Sequence, residues 1–330
     1  MSGMGSEVTL TAERPAVEGR IHASVDLGSN SVHLLVASVL RGRLEASLDD
    51  RSVFLGLGVA ADASRFGQEL RGPLVETLTE YAGLAADLGA ETVTFLGTEP
   101  LRRAADAATV VRAVEAAGWP LHVVTHEEEA LLTLLGATGG RRVEVETAVV
   151  DVGGGSSDLA VVGPGHPAIA LGIKAGSERL TRALVSHDPP ERAEIEAIRR
   201  RARELFAAAP AAVVHDVIAV GGTAGNLVKV LASADGTEGE AWLTAARLDR
   251  AIDILLAAPS VLHAERFALN PIRARVLPAG AAILEAILDR FAVEGLRAIE
   301  AGIREGTILA VDHAGAGWRD ALPRLAGGWD

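Results

Sequence analysis

From His22 to Val39 the chain is apolar and β-branched on both sides of a polar hexapeptide, Asp26-Leu27-Gly28-Ser29-Asn30-Ser31. That pattern predicts a strand, a tight turn and a second strand. Leu74, Leu78, Tyr81, Leu84 and Leu88 then recur at helical spacing, and with Gly72-Pro73 before them and Gly89 after they predict a helix over 73–88. Further along, the pattern predicts a strand over 92–96, a helix over 105–117 and a strand over 121–124. A helix over 127–135 follows, ended by Gly136 and Gly139-Gly140. Strands alternating with helices indicate an α/β fold with a mixed or parallel sheet.

After Arg141-Arg142 the pattern restarts. Val149-Val150-Asp151-Val152-Gly153-Gly154-Gly155-Ser156-Ser157-Asp158-Leu159 has the strand–turn–strand form of the first segment, with Asp26 aligned to Asp151, Gly28 to Gly153 and Ser31 to Ser156. An offset of about 125 residues is too long for a solenoid and fits a duplicated domain. The expected division is a tail over 1–20, a first domain over 21–140 and a second over 141–330. The last helix, after about 304, is expected to pack back on the first domain. A third glycine turn, Gly221-Gly222-Thr223-Ala224-Gly225-Asn226, follows the apolar run Val213–Val220 and opens a helix. Beyond it helices are expected over about 244–257, 260–268 and 278–292, with one flexible loop over 235–240.

Composition narrows the function classes. There is no cysteine, so disulfides, thiolate metal sites and a cysteine nucleophile are excluded. The net charge of −13 argues against a nucleic-acid coat or a membrane-surface binder. No apolar run is long enough to span a bilayer and the N-terminus lacks secretory features, so a cytoplasmic protein is expected. Aromatic residues make up only 3% of the chain, leaving few platforms on which bases could stack.

The two Asp-x-Gly turns carry the candidate chemistry. An aspartate at the end of a buried strand can hold a divalent cation, while the following glycines aim backbone N–H groups at an oxyanion and serine hydroxyls add donors. Two copies in register, with a third glycine turn at a helix N-terminus, describe a phosphate-binding cleft between two duplicated lobes.

At these residues the sequence resembles the exopolyphosphatase/guanosine pentaphosphate phosphohydrolase (Ppx/GppA) family of the sugar-kinase, Hsp70 and actin superfamily. The matching pieces span about residues 22–310: Asp26 to Ser31, Gly97-Thr98 with Leu101-Arg102, Glu128-Glu129-Ala130, Asp151 to Ser157, Gly221 to Ala224, Arg273 to Gly280, and Gly302-Ile303-Arg304-Glu305-Gly306. The resemblance implies an α/β fold of two ribonuclease-H-like domains with the active site in the cleft between them. It also implies release of the terminal phosphate from polyphosphate or pppGpp, dependent on Mg²⁺ or Mn²⁺. The chain resembles the short, two-domain form of the family, and a homodimer is an expected assembly.

The resemblance assigns roles residue by residue. Glu129, immediately before Ala130, is the expected catalytic base, orienting the attacking water. Glu127 and Glu128 keep the plainer role of acidic residues in a first helical turn. Arg102 is expected to clamp phosphate, and its neighbour Arg103 to be solvated. Asp151 and Asp26 are assigned to the metal. Ser29, Asn30, Ser31, Gly154, Gly155, Ser156, Ser157, Gly222 and Thr223 are assigned to phosphate oxygens. Three departures from the family pattern stand out. Asp158, counted with Glu129 and Arg102 in the catalytic set, replaces a common glutamate and is set one methylene back from metal or water. Pro100 and Asp106 replace an alanine and an asparagine, and Phe54 stands where an arginine is common.

Other features stay structural at this level. Arg199, Arg200, Arg201 and Arg203 share a helix with Glu191, Glu194, Glu196 and Glu204, a pattern of a salt-bridged, solvated face rather than a polyanion channel. The nine histidines show no metal-ligand spacing, although His33 aligns with Asp158 in the repeat. Two rival functions use the same turns: an ATP-dependent kinase of this superfold, and a non-catalytic sensor of phosphate chains or nucleotides.

Overall fold

The computed structural model describes residues 18–62, 65–236 and 240–329. Most of the expected tail and the centre of the expected 235–240 loop lie outside the described residues. In the first half, β1 (Arg20–Leu27), β2 (Ser31–Leu40) and β3 (Arg43–Phe54) form an antiparallel meander. After α1 (Leu57–Asp62) and α2 (Gly67–Asp87), β4 (Thr92–Gly97) pairs parallel with β1. Next come α3 (Glu99–Arg103) and α4 (Ala107–Ala116), then β5 (Leu121–Val123), parallel to β4, and α5 (His126–Thr138). The sheet order is β3-β2-β1-β4-β5.

The second half repeats this plan. β6 (Thr147–Val152), β7 (Ser157–Gly163) and β8 (His166–Ile173) form the meander, followed by α6 (Ser177–Leu184) and α7 (Arg192–Phe206). β9 (Asp216–Val220) then runs parallel to β6 and leads into α8 (Gly221–Asp235). The short β10 (Trp242–Thr244), α9 (Ala245–Leu256), α10 (Ser260–Arg266) and α11 (Pro271–Phe291) come before β11 (Gly295–Ile299), which lies parallel to β9. The chain closes with α12 (Ile303–Ala314) and α13 (Trp318–Leu325). The order β10-β11-β9-β6-β7-β8 is the first sheet's order with one added edge strand. The turns after β1, β4, β6 and β9 therefore occupy matching places at the carboxyl ends of matching strands, where open α/β sheets bind ligands.

Three cores hold these layers. One face of the first sheet packs Val25, Leu27 and Val36 on Leu78 and Tyr81 of α2 and Val110 of α4. One face of the second sheet packs Val150, Leu159 and Ala219 on α7, α8, α9 and α11. Between the sheets lies a third core, in which Leu35, Leu96, Val149 and Val220 meet Leu132 and Leu135 of α5 and Leu309 of α12. The backbones of these two central helices nearly touch. A Cβ on Gly136 would stand 1.9 Å from the carbonyl oxygen of Gly302, and one on Gly306 would stand 1.8 Å from that of Leu132. Only hydrogen fits at either place. α12 is also tied to the first sheet, where Asp312 meets the His22 ring at 3.2 Å and Arg304 Nη1 donates to Leu34 O at 3.3 Å.

Helix boundaries moved where proline was read as a start. The expected helices at 73 and 278 begin at Gly67 and Pro271, so Pro73 and Pro278 lie inside them. A buried proline forfeits one backbone hydrogen bond. In α11 that loss is offset by near-complete burial of Val276 through Leu288. The edge strands β3 and β8 had no expectation: β3 is largely charged and polar, and β8 opens on the exposed His166-Pro167.

Candidate active site

Both Asp-x-Gly turns close with the same bond: Gly28 N donates to Ser31 O at 3.1 Å, and Gly153 N to Ser156 O at 2.9 Å. They face each other across the cleft, with Ser29 Cβ 3.9 Å from the place a Gly154 Cβ would occupy. Thr125 caps α5 by accepting from Glu128 N at 3.1 Å, while Glu128 accepts from Thr125 N at 2.8 Å. This capping box aims the first turn of α5, with His126 and Glu129, at the cleft floor. Glu128 also binds Arg319 of α13 at 2.7 Å, so its role is structural.

On that floor Arg102 Nη1 donates to Glu129 Oε2 at 2.6 Å and to Val124 O at 2.8 Å. The His126 ring nitrogen Nδ1 lies 3.1 Å from Arg102 Nη2 and 2.6 Å from Asp158 Oδ1. Asp158 faces Asp151 in the β6–β7 register, as His33 faces Asp26 in the β1–β2 register. Asp26 Oδ1 is buried with no hydrogen-bond partner among the described residues. Asp151 lies under the third turn, and a Cβ on Gly221 would stand 2.6 Å from its Oδ1. Gly221 also has φ +80°, so both space and backbone call for glycine there.

The electrostatics follow from this crowding. Burial pushes the Asp26 pKa up to about 6, with Arg304 and Arg102 pulling the other way. Asp151 rises to about 7 through burial and the charges of Asp158 and Asp26. Asp158 also rises to about 7 by burial, opposed by Arg102. Burial first, then Asp158, holds Glu129 well above the usual carboxylate range. His33 falls to about 4 through burial and the nearby Arg304 and Arg273, and so is neutral. Carboxylates that resist ionisation side by side mark a place suited to a cation or to proton transfer.

The phosphate assignments divide in two. Among the described residues, the side chains of Ser29, Asn30, Ser31 and Ser156 make no protein hydrogen bond and stay available as donors. Ser157 and Thr223 require correction. Ser157 Oγ donates to Ala175 O at 2.6 Å and Thr223 Oγ1 to Val152 O at 2.6 Å. A hydroxyl has one proton, so these two side chains hold turns rather than donate to phosphate. Gly154 and Gly155 line a small recess with Ser29, Arg103 and Arg179. Gly222 lies beside Arg273, whose Nη1 is 3.4 Å from the Gly222 Cβ position.

Several residues of the site were missed. Glu99 at the start of α3 fills the space a Gly155 side chain would take and pairs with Arg103 at 2.9 Å. Arg103 is thus held within its own lobe by Glu99 and Gly58 O, while Glu99 meets the second lobe's turn and Arg179. Arg179 donates to Gly155 O at 2.6 Å from the other side. Asp106 accepts from Phe66 N and Gly67 N and serves the start of α2. Arg273 is half-buried and forms no hydrogen bond or ion pair among the described residues. The statement that no histidine has ligand spacing is also corrected: His126 and Glu129 stand three apart on one helix face, a spacing readable in the sequence. A cavity of about 470 Å³ adjoins the recess between α6 and α11, lined by Glu178, Thr181, Arg182, Ile272 and Arg275.

Two α/β halves of matching strand order enclose a cleft of glycine turns and carboxylates, the two-lobed fold that the resemblance implies. Residues 47–313 match the Ppx/GppA phosphatase family, and the chain belongs to it. It is 28% identical over 302 residues to exopolyphosphatase 1 of Mycobacterium tuberculosis H37Rv, covering 86% of each chain. It is 30% identical over 318 residues to exopolyphosphatase 2 of the same organism, covering 88% of this chain and 98% of that one. The crystal structure of the Aquifex aeolicus Ppx/GppA family member superposes with a TM-score of 0.77 at 25% identity, covering 88% of this chain and 97% of that one. Among the described residues no helix is long and apolar enough to cross a membrane.

Proposed function

We propose that the protein hydrolyses the terminal phosphoanhydride of inorganic polyphosphate, and of pppGpp, which ends in the same bond. The observation that carries the reading is the Arg102–Glu129 pair, 2.6 Å apart, on the floor between two facing phosphate-binding turns. The family membership and the curated exopolyphosphatase relatives support it.

Phosphoryl transfer needs positioning and charge neutralisation more than covalent chemistry. Arg102 grips one carboxylate oxygen of Glu129, leaving the other to accept a proton from a water in line with the terminal phosphorus. Burial makes that carboxylate a stronger base than an exposed glutamate. Ser29, Asn30, Ser31 and Ser156, with the backbone N–H groups of the turns, hold the terminal phosphate oxygens. Arg273 adds a guanidinium that has no hydrogen-bond or ion-pair partner among the described residues. Asp26 and Asp151 suit Mg²⁺ or Mn²⁺: they are hard oxygen donors, and the orphaned Asp26 Oδ1 lacks any other partner among the described residues. Such an ion, when bound, neutralises phosphate charge.

The test is phosphate release from polyphosphate and from pppGpp with Mg²⁺, in the wild type and in Glu129→Gln. Release from either substrate, lost in the variant, is expected. Transfer of phosphate from ATP to an acceptor, or tight polyphosphate binding without release, overturns the reading in favour of a kinase or a sensor.

A further inference from the structure

We propose that Glu99 is a built-in competitor of substrate phosphate, and that a phosphate of the incoming chain displaces its carboxylate to take over Arg103 and Arg179. The inference rests on the phosphohydrolase reading for the identity of the ligand and goes beyond it in naming a residue that sets affinity.

These three side chains bridge the two glycine turns. Arg103 Nη2 donates to Gly58 O at 3.2 Å, and Gly58 N donates to Ser29 O at 2.6 Å, so this guanidinium is moored to the first turn. Arg179 Nε donates to Gly155 O at 2.6 Å and its backbone N–H to Gly154 O at 3.0 Å, which moors it to the second. Between them stands Glu99, at the start of α3, with Arg103 Nε 2.9 Å and Arg179 Nη2 3.5 Å from the same oxygen, Oε1. Its carboxylate lies against the main chain of the second turn, since a Cβ on Gly155 would stand 2.5 Å from both Cδ and Oε1. An anion thus already sits where a glycine turn and two guanidiniums converge. A guanidinium fork receives carboxylate and phosphate oxygens alike.

The hold on Glu99 is loose. Arg103 Nη2 reaches Oε2 only at 3.5 Å, and the Arg179 contact is as long, against 2.6 Å for Arg102 on Glu129. Charge-assisted bonds at full strength measure about 2.7–2.9 Å. Burial raises the Glu99 pKa, with Arg179 and Arg102 pulling it down, so the site penalises the charge it holds. A phosphate group brings more oxygens and more charge to the same two forks. It has no room until Glu99 leaves, because the recess that Ser29, Gly154, Gly155, Arg103 and Arg179 help to enclose has a volume of about 10 Å³, enough for one water. The Glu99 side chain is 11% exposed and those of Arg103 and Arg179 are 29% and 34%, so a ligand in the cleft reaches the arginines first. Where a seat is occupied from within, the apparent affinity of a ligand falls by the fraction of molecules in which the seat is free.

Titration calorimetry of the full chain with inorganic tripolyphosphate in excess chelator tests this, with phosphate release in Mg²⁺ followed in parallel. Glu99→Gln keeps the shape of the side chain and removes its charge; it should tighten binding about 3–10-fold. Arg179→Gln should weaken binding about 10-fold or more, and adding Glu99→Gln to it should recover little of that loss. A residue that only braced the lobes would act the other way, since its loss would loosen the cleft. Unchanged or weaker binding in Glu99→Gln therefore overturns the proposal, as does a lack of tripolyphosphate binding by both proteins. Glu99→Asp, which draws the carboxylate back by one methylene, should tighten binding to a smaller extent and decides the matter if Glu99→Gln does not fold. Tighter binding in Glu99→Gln with no phosphate release by the wild type upholds the competitor and sinks the phosphohydrolase reading; release with no gain in affinity does the reverse.

Discussion

The two Asp-x-Gly turns are copies in backbone and opposites in chemistry. Each closes with a glycine N–H to serine C=O bond, and each aspartate ends the central strand of its sheet. Across from Asp26 in the neighbouring strand is His33, neutral with its pKa near 4; across from Asp151 is Asp158, raised to about 7. The first turn is backed by Arg304 on α12, the second by Gly221 and the His126–Asp158 contact. Duplication preserves what the main chain does and leaves side-chain neighbours free to diverge. The cleft is thus a symmetric pair of backbone turns around an asymmetric set of acids and bases.

The sharpest way to break this picture is Glu129→Gln, expected to lower kcat by about two to four orders of magnitude while leaving the melting temperature close to the wild type. Glu128→Gln serves as the control. It weakens the capping box and the Arg319 pair, and should lower stability by about 1 kcal/mol with kcat nearly unchanged. Equal kinetic loss in both would place the catalytic carboxylate one residue away.

Next in size is the contrast between the copies. Asp151→Asn should raise the divalent-ion concentration needed for half-maximal activity more than Asp26→Asn does, because Asp151 also adjoins Asp158 and the third turn. Equal shifts from the two variants, measured by metal titration of phosphate release, would show that the copies act as a symmetric pair.

A third test uses pH. The folded-state pKa values of Asp26, Asp151 and Asp158, about 6, 7 and 7, lie above the ordinary value of 3.8. The native state therefore binds these protons more tightly than the unfolded chain. Their contribution to stability is full below about pH 4 and is lost as pH rises through 6 to 7. Metal-free protein should accordingly lose stability between about pH 4 and 7 (about 2–4 °C of Tm per kcal/mol), and Asp151→Asn should flatten that slope. Added Mg²⁺ should raise Tm more at pH 8 than at pH 5. A slope identical in wild type and variant removes Asp151 from the titrating set.

The smallest expected effect separates neighbouring serines. Ser157→Ala should cost about 1 kcal/mol of stability through loss of its bond to Ala175 O, without changing KM. Ser156→Ala, at a hydroxyl with no protein partner, should instead raise KM for polyphosphate with little change in Tm. Chain length adds a companion measurement. Arg199, Arg201 and Arg203 are each paired with carboxylates, so KM should change little between short and long polyphosphate at either low or high salt.

The strands β1, β2, β6 and β7 and the duplication were legible in the chain because they depend on local periodicity and turn chemistry, whereas Glu129 was singled out from its acidic neighbours only by the family resemblance. The edge strands β3 and β8 were not: β3 is charged and exposed along much of its length, and β8 is apolar without the alternation that marks a half-buried strand. Pro73 and Pro278 misplaced two helix starts, because burial elsewhere in a helix can outweigh one missing hydrogen bond. His126 escaped notice although its spacing to Glu129 was in view, for its significance depends on Asp158, which lies 32 residues away.

By itself, then, the order of residues determined two sheet-building repeats, three glycine turns and a single acidic helix start, all set by interactions within a few residues. Only the tertiary structure decided which hydroxyls are already bonded, that Glu99 meets Arg179 and the glycine turn of the opposite lobe, and that His126 meets Asp158. Those outcomes depend on distances of 2.5 to 3.5 Å between groups far apart in the chain. Such distances are set by the close passage of α5 against α12 and by the register of β7 on β8, which no local pattern encodes.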